Sequence, residues 1–240
     1  MGFPRLPLIA PNLASLSLCL AYCSNISDQS FINLTSRYFH LTALALGLSY
    51  CPQITQKSFE SLPTTLTSLK IHLANCSQLI DFSIISFSTS LLSLSLDLGG
   101  CKFISDEGLQ DLASHRLKSL TKFTSLTLNL QSCSITNKSL DTFSLTALPN
   151  LALLQSLNLN LYWCSFLTDE GLINLFIKGL LPNLKSLNSL SLNLSMLWKL
   201  SDQGIQVLCA RGLSQLTLLK YLSLNSSHCA EITDQSLQNL

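Results

Sequence analysis

The sequence predicts an α/β solenoid: a curved stack of parallel strands with helices behind it. Three observations lead there. The phrase SLTLNLQSC at 125–133 returns as SLSLCLAYC at 15–23, SLSLDLGGC at 93–101 and SLNLNLYWC at 156–164. A helix-patterned stretch follows each copy. The phrase alternates apolar with small polar residues, so its strand buries one face and leaves the other wet.

Aligned on the closing cysteine, the phrase occurs eight times. Its inward triplets are Leu16-Leu18-Leu20, Leu44-Leu46-Leu48, Leu69-Ile71-Leu73, Leu94-Leu96-Leu98, Leu126-Leu128-Leu130, Leu157-Leu159-Leu161 and Leu190-Leu192-Leu194. The eighth, Leu222-Leu224-Ser226, loses its last member. The rungs close at Cys23, Cys51, Cys76, Cys101, Cys133, Cys164, Leu197 and Cys229, so the closing position wants a small buried apolar group. Cys19 and Cys209 fall outside this series.

The connections read as helices. In CKFISDEGLQDL, CSFLTDEGLINL and CAEITDQSLQNL a hydrophobe precedes Ser/Thr-Asp and a Leu-x-x-Leu pair. Asp28, Asp81, Asp106, Asp169, Asp202 and Asp234 hold the acidic position; Gln56 and Asn137 replace it in two rungs. The expected role is to cap the helix that each one starts. Six recurring carboxylates could also suggest cation binding, but capping is the simpler account.

Strand, turn, helix and strand in one chain direction make neighbouring strands parallel. Parallel sheets covered on both faces carry apolar strands throughout. Alternation therefore disfavours a barrel or a doubly wound sheet. Strands stack about 4.8 Å apart and helices about 8–10 Å apart, so the stack curves with its strands on the concave side. Cysteine intervals of 28, 25 and 25 residues lengthen to 31–33, which predicts a thicker convex side and tighter curvature in the second half.

These residues carry a family resemblance. L-x-L-x-L-x-x-C followed by I-[ST]-D-x-[GS]-[LF]-x-x-L resembles the cysteine-containing subclass of leucine-rich repeats, from about Leu13 to the end. The likeness implies a horseshoe of about eight repeats and a repeat arm like those of F-box ubiquitin-ligase proteins. Two departures stand out. An extra alternating pair lengthens the strand, and the repeat length changes from 25–28 to 31–33 residues; no room for an F-box is expected before Leu13. Pro11-Asn12-Leu13 matches Pro149-Asn150-Leu151, and the array stops at Leu240 inside a helix. We expect one repeat domain over 1–240, a piece of a longer array.

Composition narrows the function. Only 11% of residues are charged, against about a quarter in an average protein. A net charge of +1 supplies no field for nucleic acid or an anionic membrane. The uncharged runs Leu6–Ser27 and Thr142–Thr168 are broken by Pro and Asn and carry the repeat, so neither reads as a membrane span. Nine cysteines report the repeat rather than a disulfide scheme, and C-x-x-C does not occur, so no metal and no cofactor is expected.

The wet face is where binding residues are expected. Four positions before each closing residue stand Cys19, Gly47, His72, Asp97, Asn129, Asn160, Asn193 and Asn225. The asparagines read either as a ladder of amides bonding one another or as a strip that recognises a partner. His72 and Asp97 read as a surface ion pair; Cys19 lies two rungs from His72, about 10 Å away and too far for a catalytic pairing. At the strand ends Tyr22, Tyr50, Tyr162 and Trp163, with Met196 and His228, are either binding anchors or rim packing. The six N-x-S/T sequons carry little weight in so serine-rich a chain.

The expected function is a non-enzymatic scaffold without catalytic residues. It binds a protein or peptide ligand on the concave face through Tyr50, His72, Asp97, Asn129, Asn160, Tyr162, Trp163, Asn193 and Asn225. The expected compartment is the cytoplasm, with the nucleus compatible, because ladder thiols are structural and reduced. By resemblance, the specific form is the substrate arm of an SCF-type ubiquitin ligase, joined to ligase components through flanking sequence. The alternatives are a regulatory repeat region of a larger signalling enzyme such as a kinase, or a secreted receptor-type array.

Overall fold

The computed structural model describes residues 10, 12–79, 81 and 85–239; Pro11 and Leu240 of the phrases above lie outside them, as does most of Leu6–Ala10. Eight five-residue strands form one parallel sheet in sequence order: β1 (Ser15–Cys19), β2 (Ala43–Gly47), β3 (Ser68–His72), β4 (Ser93–Asp97), β5 (Ser125–Asn129), β6 (Ser156–Asn160), β7 (Ser189–Asn193) and β8 (Tyr221–Asn225). Pairing is in register throughout. Leu126 of β5 stands beside Leu94 and Leu157, and Asn129 beside Asp97 and Asn160.

Alternation sets the faces as expected. Leu126 and Leu128 are buried in β5, while Ser125, Thr127 and Asn129 reach solvent. The third leucine of each triplet, Leu130 here, lies just past the paired strand yet is equally buried. The end rungs are less covered: Leu16 and Leu18 are partly buried and Leu222 is exposed. Each has a neighbouring rung on one side only, and burial in a solenoid comes from neighbours.

Behind the sheet run α1 (Asp28–Arg37), α2 (Asp106–Asp111), α3 (Asn137–Thr142), α4 (Asp169–Asn174), the one-turn α5 (Leu181–Asn183) and α6 (Asp202–Val207). α2, α3, α4 and α6 continue into π-helical turns at Leu112–Leu117, Phe143–Ala147, Leu175–Leu180 and Leu208–Gly212. The second rung has only a 3-10 turn, Gln56–Phe59, and the described residues of the third connection carry no helix. A helix after every cysteine was therefore too regular an expectation: the 25-residue units have too little chain. The longer units carry an α-helix that runs on into a π-helical turn.

The cysteines earn their place through a hydrogen bond. Each rung turns at its closing residue, and the Cys N–H bonds the carbonyl three residues back, as Cys133 does to Leu130 at 3.0 Å. That carbonyl has a second lone pair, and the thiol of the next rung takes it. Cys164 Sγ donates to Leu130 O at 3.1 Å, Cys101 Sγ to Leu73 O at 3.1 Å and Cys133 Sγ to Leu98 O at 3.2 Å. A small apolar side chain with one weak donor fits this spot. Leu197 fills it without the donor and is buried.

The recurring aspartates do something other than expected. Asp28, Asp106, Asp169 and Asp202 reach across to the next rung instead of capping their own helices. Asp106 accepts from the Thr136 N–H (2.8 Å), the Thr136 hydroxyl (2.7 Å) and the Ser139 hydroxyl. Asp28 makes the same set with Thr55 and Ser58. A local side-chain cap forms at only some of the helix starts: Thr136 Oγ1 accepts from Lys138 N and Ser201 Oγ from Gln203 N, whereas Ser27, Ser105 and Thr168 make no such bond. The [GS] position follows from this arrangement. Ser58 and Ser139 donate to the aspartate of the rung before, whereas a β-carbon at Gly171 or Gly204 would run into Asn137 Oδ1 or Asp169 Oδ1.

Candidate interaction face

The expected site residues fall on one line. In-register pairing puts Cys19, Gly47, His72, Asp97, Asn129, Asn160, Asn193 and Asn225 in a single column, each the last residue of its strand. The column neither forms the expected amide ladder nor stands idle. Asn160 Oδ1 accepts from the Tyr162 N–H (3.0 Å), Asn129 Oδ1 from Gln131 N–H (3.0 Å) and Asn225 Oδ1 from Ser227 N–H (3.0 Å). These are Asx turns that swing each strand into its bend. One amide bond crosses rungs, from Asn129 Nδ2 to Asp97 Oδ1 at 2.6 Å. Among the described residues no acceptor meets the Nδ2 groups of Asn160, Asn193 and Asn225, which leaves a row of donors on the wet face.

His72 Nδ1 lies 3.6 Å from Asp97 Oδ2, an ion-pair distance when the imidazole is protonated. Beside them Cys19 is two strands from His72 in the register, as the spacing predicted.

The bend itself is unusual. Tyr22, Tyr50, Asn75, Gly100, Ser132, Trp163, Met196 and His228 occupy one position, just before the closing residue, and all have φ between 53° and 71°. That left-handed region suits glycine and costs an ordinary side chain about 1–2 kcal/mol. Gly100 alone among them is a glycine. Tyr162 belongs to the preceding position, so the sequence reading grouped two distinct columns together.

These bends hold the exposed aromatics. Tyr22 and Tyr50 stack with ring centroids 4.5 Å apart and planes 9° apart. Trp163 contacts Tyr162 edge-on at 6.3 Å and Trp198 at 6.5 Å. Trp163 and Trp198 are 49% and 55% exposed. Trp198 escaped the sequence reading because it follows the closing residue, a position that elsewhere holds Ser, Pro, Lys or Ala. Only the three-dimensional neighbourhood joins it to Trp163.

A further feature was invisible in the sequence. Over the ends of β2 to β5 lies a depression of about 530 Å³, bordered by Tyr50, Asn75, Asp97, Gly100, Lys102 and Ser132.

Eight in-register strands in one open sheet, leucines turned to a single helical layer and a thiol ladder along the bends decide the architecture. The fold is a leucine-rich-repeat solenoid. A solved structure from Bacteroides fragilis matches 95% of this chain at a TM-score of 0.54 and 15% identity, and this solenoid spans 62% of that chain. The yeast Rad7–Elc1 complex gives a TM-score of 0.43 at 18% identity over 95% of this chain and 66% of the other. The leucine-rich repeat-containing protein LegL7 of Legionella pneumophila gives 0.38 at 16% identity, over 95% and 89%. No family model and no curated protein matches the sequence.

The solenoid's chemistry is that of a surface. Along the strands the wet face offers hydroxyls and amides, with Lys70, His72 and Asp97 as its charges. Among the described residues no group of His, Cys, Asp or Glu could hold a metal ion, and no helix is long and apolar enough to cross a membrane. The ladder thiols Cys101 and Cys164 are poor nucleophiles. Burial raises Cys101 and Cys164 to about 12, and backbone hydrogen bonds offset only part of that.

Proposed function

We propose that this solenoid is a non-enzymatic protein–protein interaction scaffold. It holds a protein or peptide on its concave face, and its repeats work as one domain over 1–240. The carrying observation is the joined, exposed pair Trp163–Trp198 with the half-buried Tyr162, at the strand ends beside the unmet amides of Asn160 and Asn193. Wide aromatic faces supply contact area at small entropic cost, and free amide donors supply direction. Trp163 also keeps a backbone conformation that favours glycine, a cost that its exposed ring does not offset by burial within the chain.

Tyr50, His72, Asp97, Asn129 and Asn225 extend the contact surface along the same column. Thiols that act as S–H donors to carbonyls require the reduced form, which favours an intracellular setting. The motif's resemblance to the cysteine-containing repeats makes the substrate arm of an SCF-type ubiquitin ligase the specific version of this reading.

The test is partner capture with the whole chain and with a Tyr162→Ala/Trp163→Ala variant. The variant should retain its melting temperature and lose the partner. Equal capture by both would count against the reading, and so would a large loss of stability, because the aromatics would then be packing.

A further inference from the structure

Asp97 has a carboxylate where its column requires only an amide. At Asn129, Asn160, Asn193 and Asn225 an asparagine oxygen accepts the N–H two residues on. Asp97 Oδ1 does the same for Gly99 (3.1 Å) and also takes Asn129 Nδ2 (2.6 Å). One oxygen thus completes the bend. The other, Oδ2, has the His72 imidazole 3.6 Å away, beyond hydrogen-bond distance. Asp97 is the one carboxylate on any of the eight strands, and its side chain is 25% exposed.

Asp97 borders the depression of about 530 Å³. The position that carries Gln131 and Tyr162 on later rungs is Ser49, Ala74 and Gly99 here, so the floor is low. A β-carbon at Gly99 would stand 3.2 Å from Asn129 Nδ2 and 3.3 Å from Asp97 Oδ1, a tight but not forbidden fit. At Gly100 a β-carbon would run into the Asn75 amide. Polar residues Asn75, Ser49 and Ser132 share the lining with the carboxylate. A charge on the wall of a concavity acts more strongly than one in open water.

Resting on the scaffold reading above, we infer that this depression takes a basic side chain of the bound protein, a lysine or arginine, with the Asp97 carboxylate as its counter-charge. A guanidinium presents donors in a planar fork and suits several acceptors around one carboxylate. Lys102, on the border and without an ion-pair partner among the described residues, limits the depression to one cation and favours an acidic or carbonyl group beside it.

The probes are the capped tripeptides Ac-Ser-Arg-Ser-NH2 and Ac-Ser-Gln-Ser-NH2, titrated into the ¹⁵N-labelled full chain. The arginine peptide should shift the Gly99, Gly100 and Asn129 amide signals saturably, and the glutamine peptide should bind about tenfold more weakly or not at all. Asp97→Asn should fold, since asparagine closes the same bend on four other rungs, and should lose that tenfold. Should it not fold, salt provides the same test on the native chain, and added NaCl should weaken the arginine peptide alone. Equal binding of both peptides, no saturable shift, or salt-independent binding would overturn the anchor. Parallel capture with the Tyr162→Ala/Trp163→Ala variant separates the two readings. If the aromatics matter to capture while the peptides fail here, the scaffold stands without this anchor. If neither matters, both fall.

Discussion

Asp169 and Ser201, 32 residues apart, are joined across two rungs: the carboxylate accepts the Ser201 N–H at 2.9 Å and its hydroxyl at 2.5 Å. The stability of a solenoid is set by such contacts between neighbours, with no long-range closure to compensate. Asp169→Ala leaves a helix-start N–H without its acceptor and should lower stability by about 1–3 kcal/mol. Asp169→Asn should cost less, because Asn137 makes the equivalent bond to Thr168 N–H at 3.0 Å. Urea denaturation of the three proteins checks the order.

The same latch makes the fold sensitive to acid. Burial pushes the Asp106 carboxyl up, but hydrogen bonds from Ser139 and Thr136 outweigh it and hold its pKa below the ordinary value. A depressed folded pKa contributes stability above the unfolded value of about 3.9, and that contribution is lost as pH falls through the folded value. Asp106→Asn should therefore be less stable than the native chain near neutrality. The difference should shrink as pH drops from about 5 toward 2. Urea midpoints across that range provide the measurement.

Thiol reactivity should follow depth in the ladder. Cys101 and Cys164 are buried, bonded to carbonyls and raised to about 12, whereas Cys19 lies exposed at the end of β1. Brief iodoacetamide treatment at mildly alkaline pH should alkylate Cys19 and spare Cys101 and Cys164 until denaturant is added. Peptide mass spectrometry reads the outcome. Rapid labelling of the ladder cysteines would contradict their placement.

Much of this was legible in the sequence, and the limits have physical causes. A period of two fixed which leucines point inward, so Leu126 and Leu128 could be placed without coordinates. The in-register repeat likewise put Asp97, Asn129 and Asn160 in one column. What the column does was not readable, because an asparagine bonding its own bend and one bonding a neighbour have the same spelling. The aspartates misled for the same reason. A position just inside a helix start fits a local cap, and nothing in one rung tells that Asp106 turns toward Thr136 of the next. Trp198 and the depression over Gly99 depend on neighbours 25 or more residues away, and the motif within a rung does not record them.

Trp163 offers a test that separates folding from binding. Its φ is 53°, which glycine adopts freely and tryptophan does not. Trp163→Gly should relieve up to about 1 kcal/mol of strain, net of glycine's greater chain entropy, and so leave the melting temperature level or higher. It should also reduce partner capture severalfold. A clear drop in melting temperature would instead assign the ring to packing against Trp198.

The most direct test of the account is to find which surface a partner touches. A photo-crosslinking amino acid placed at Asn160, on the concave face, should form an adduct with the bound protein. The same group at Gln110, exposed on α2 of the convex layer, should form none. Crosslinking from Gln110 with silence at Asn160 would place recognition on the helices and contradict the central claim.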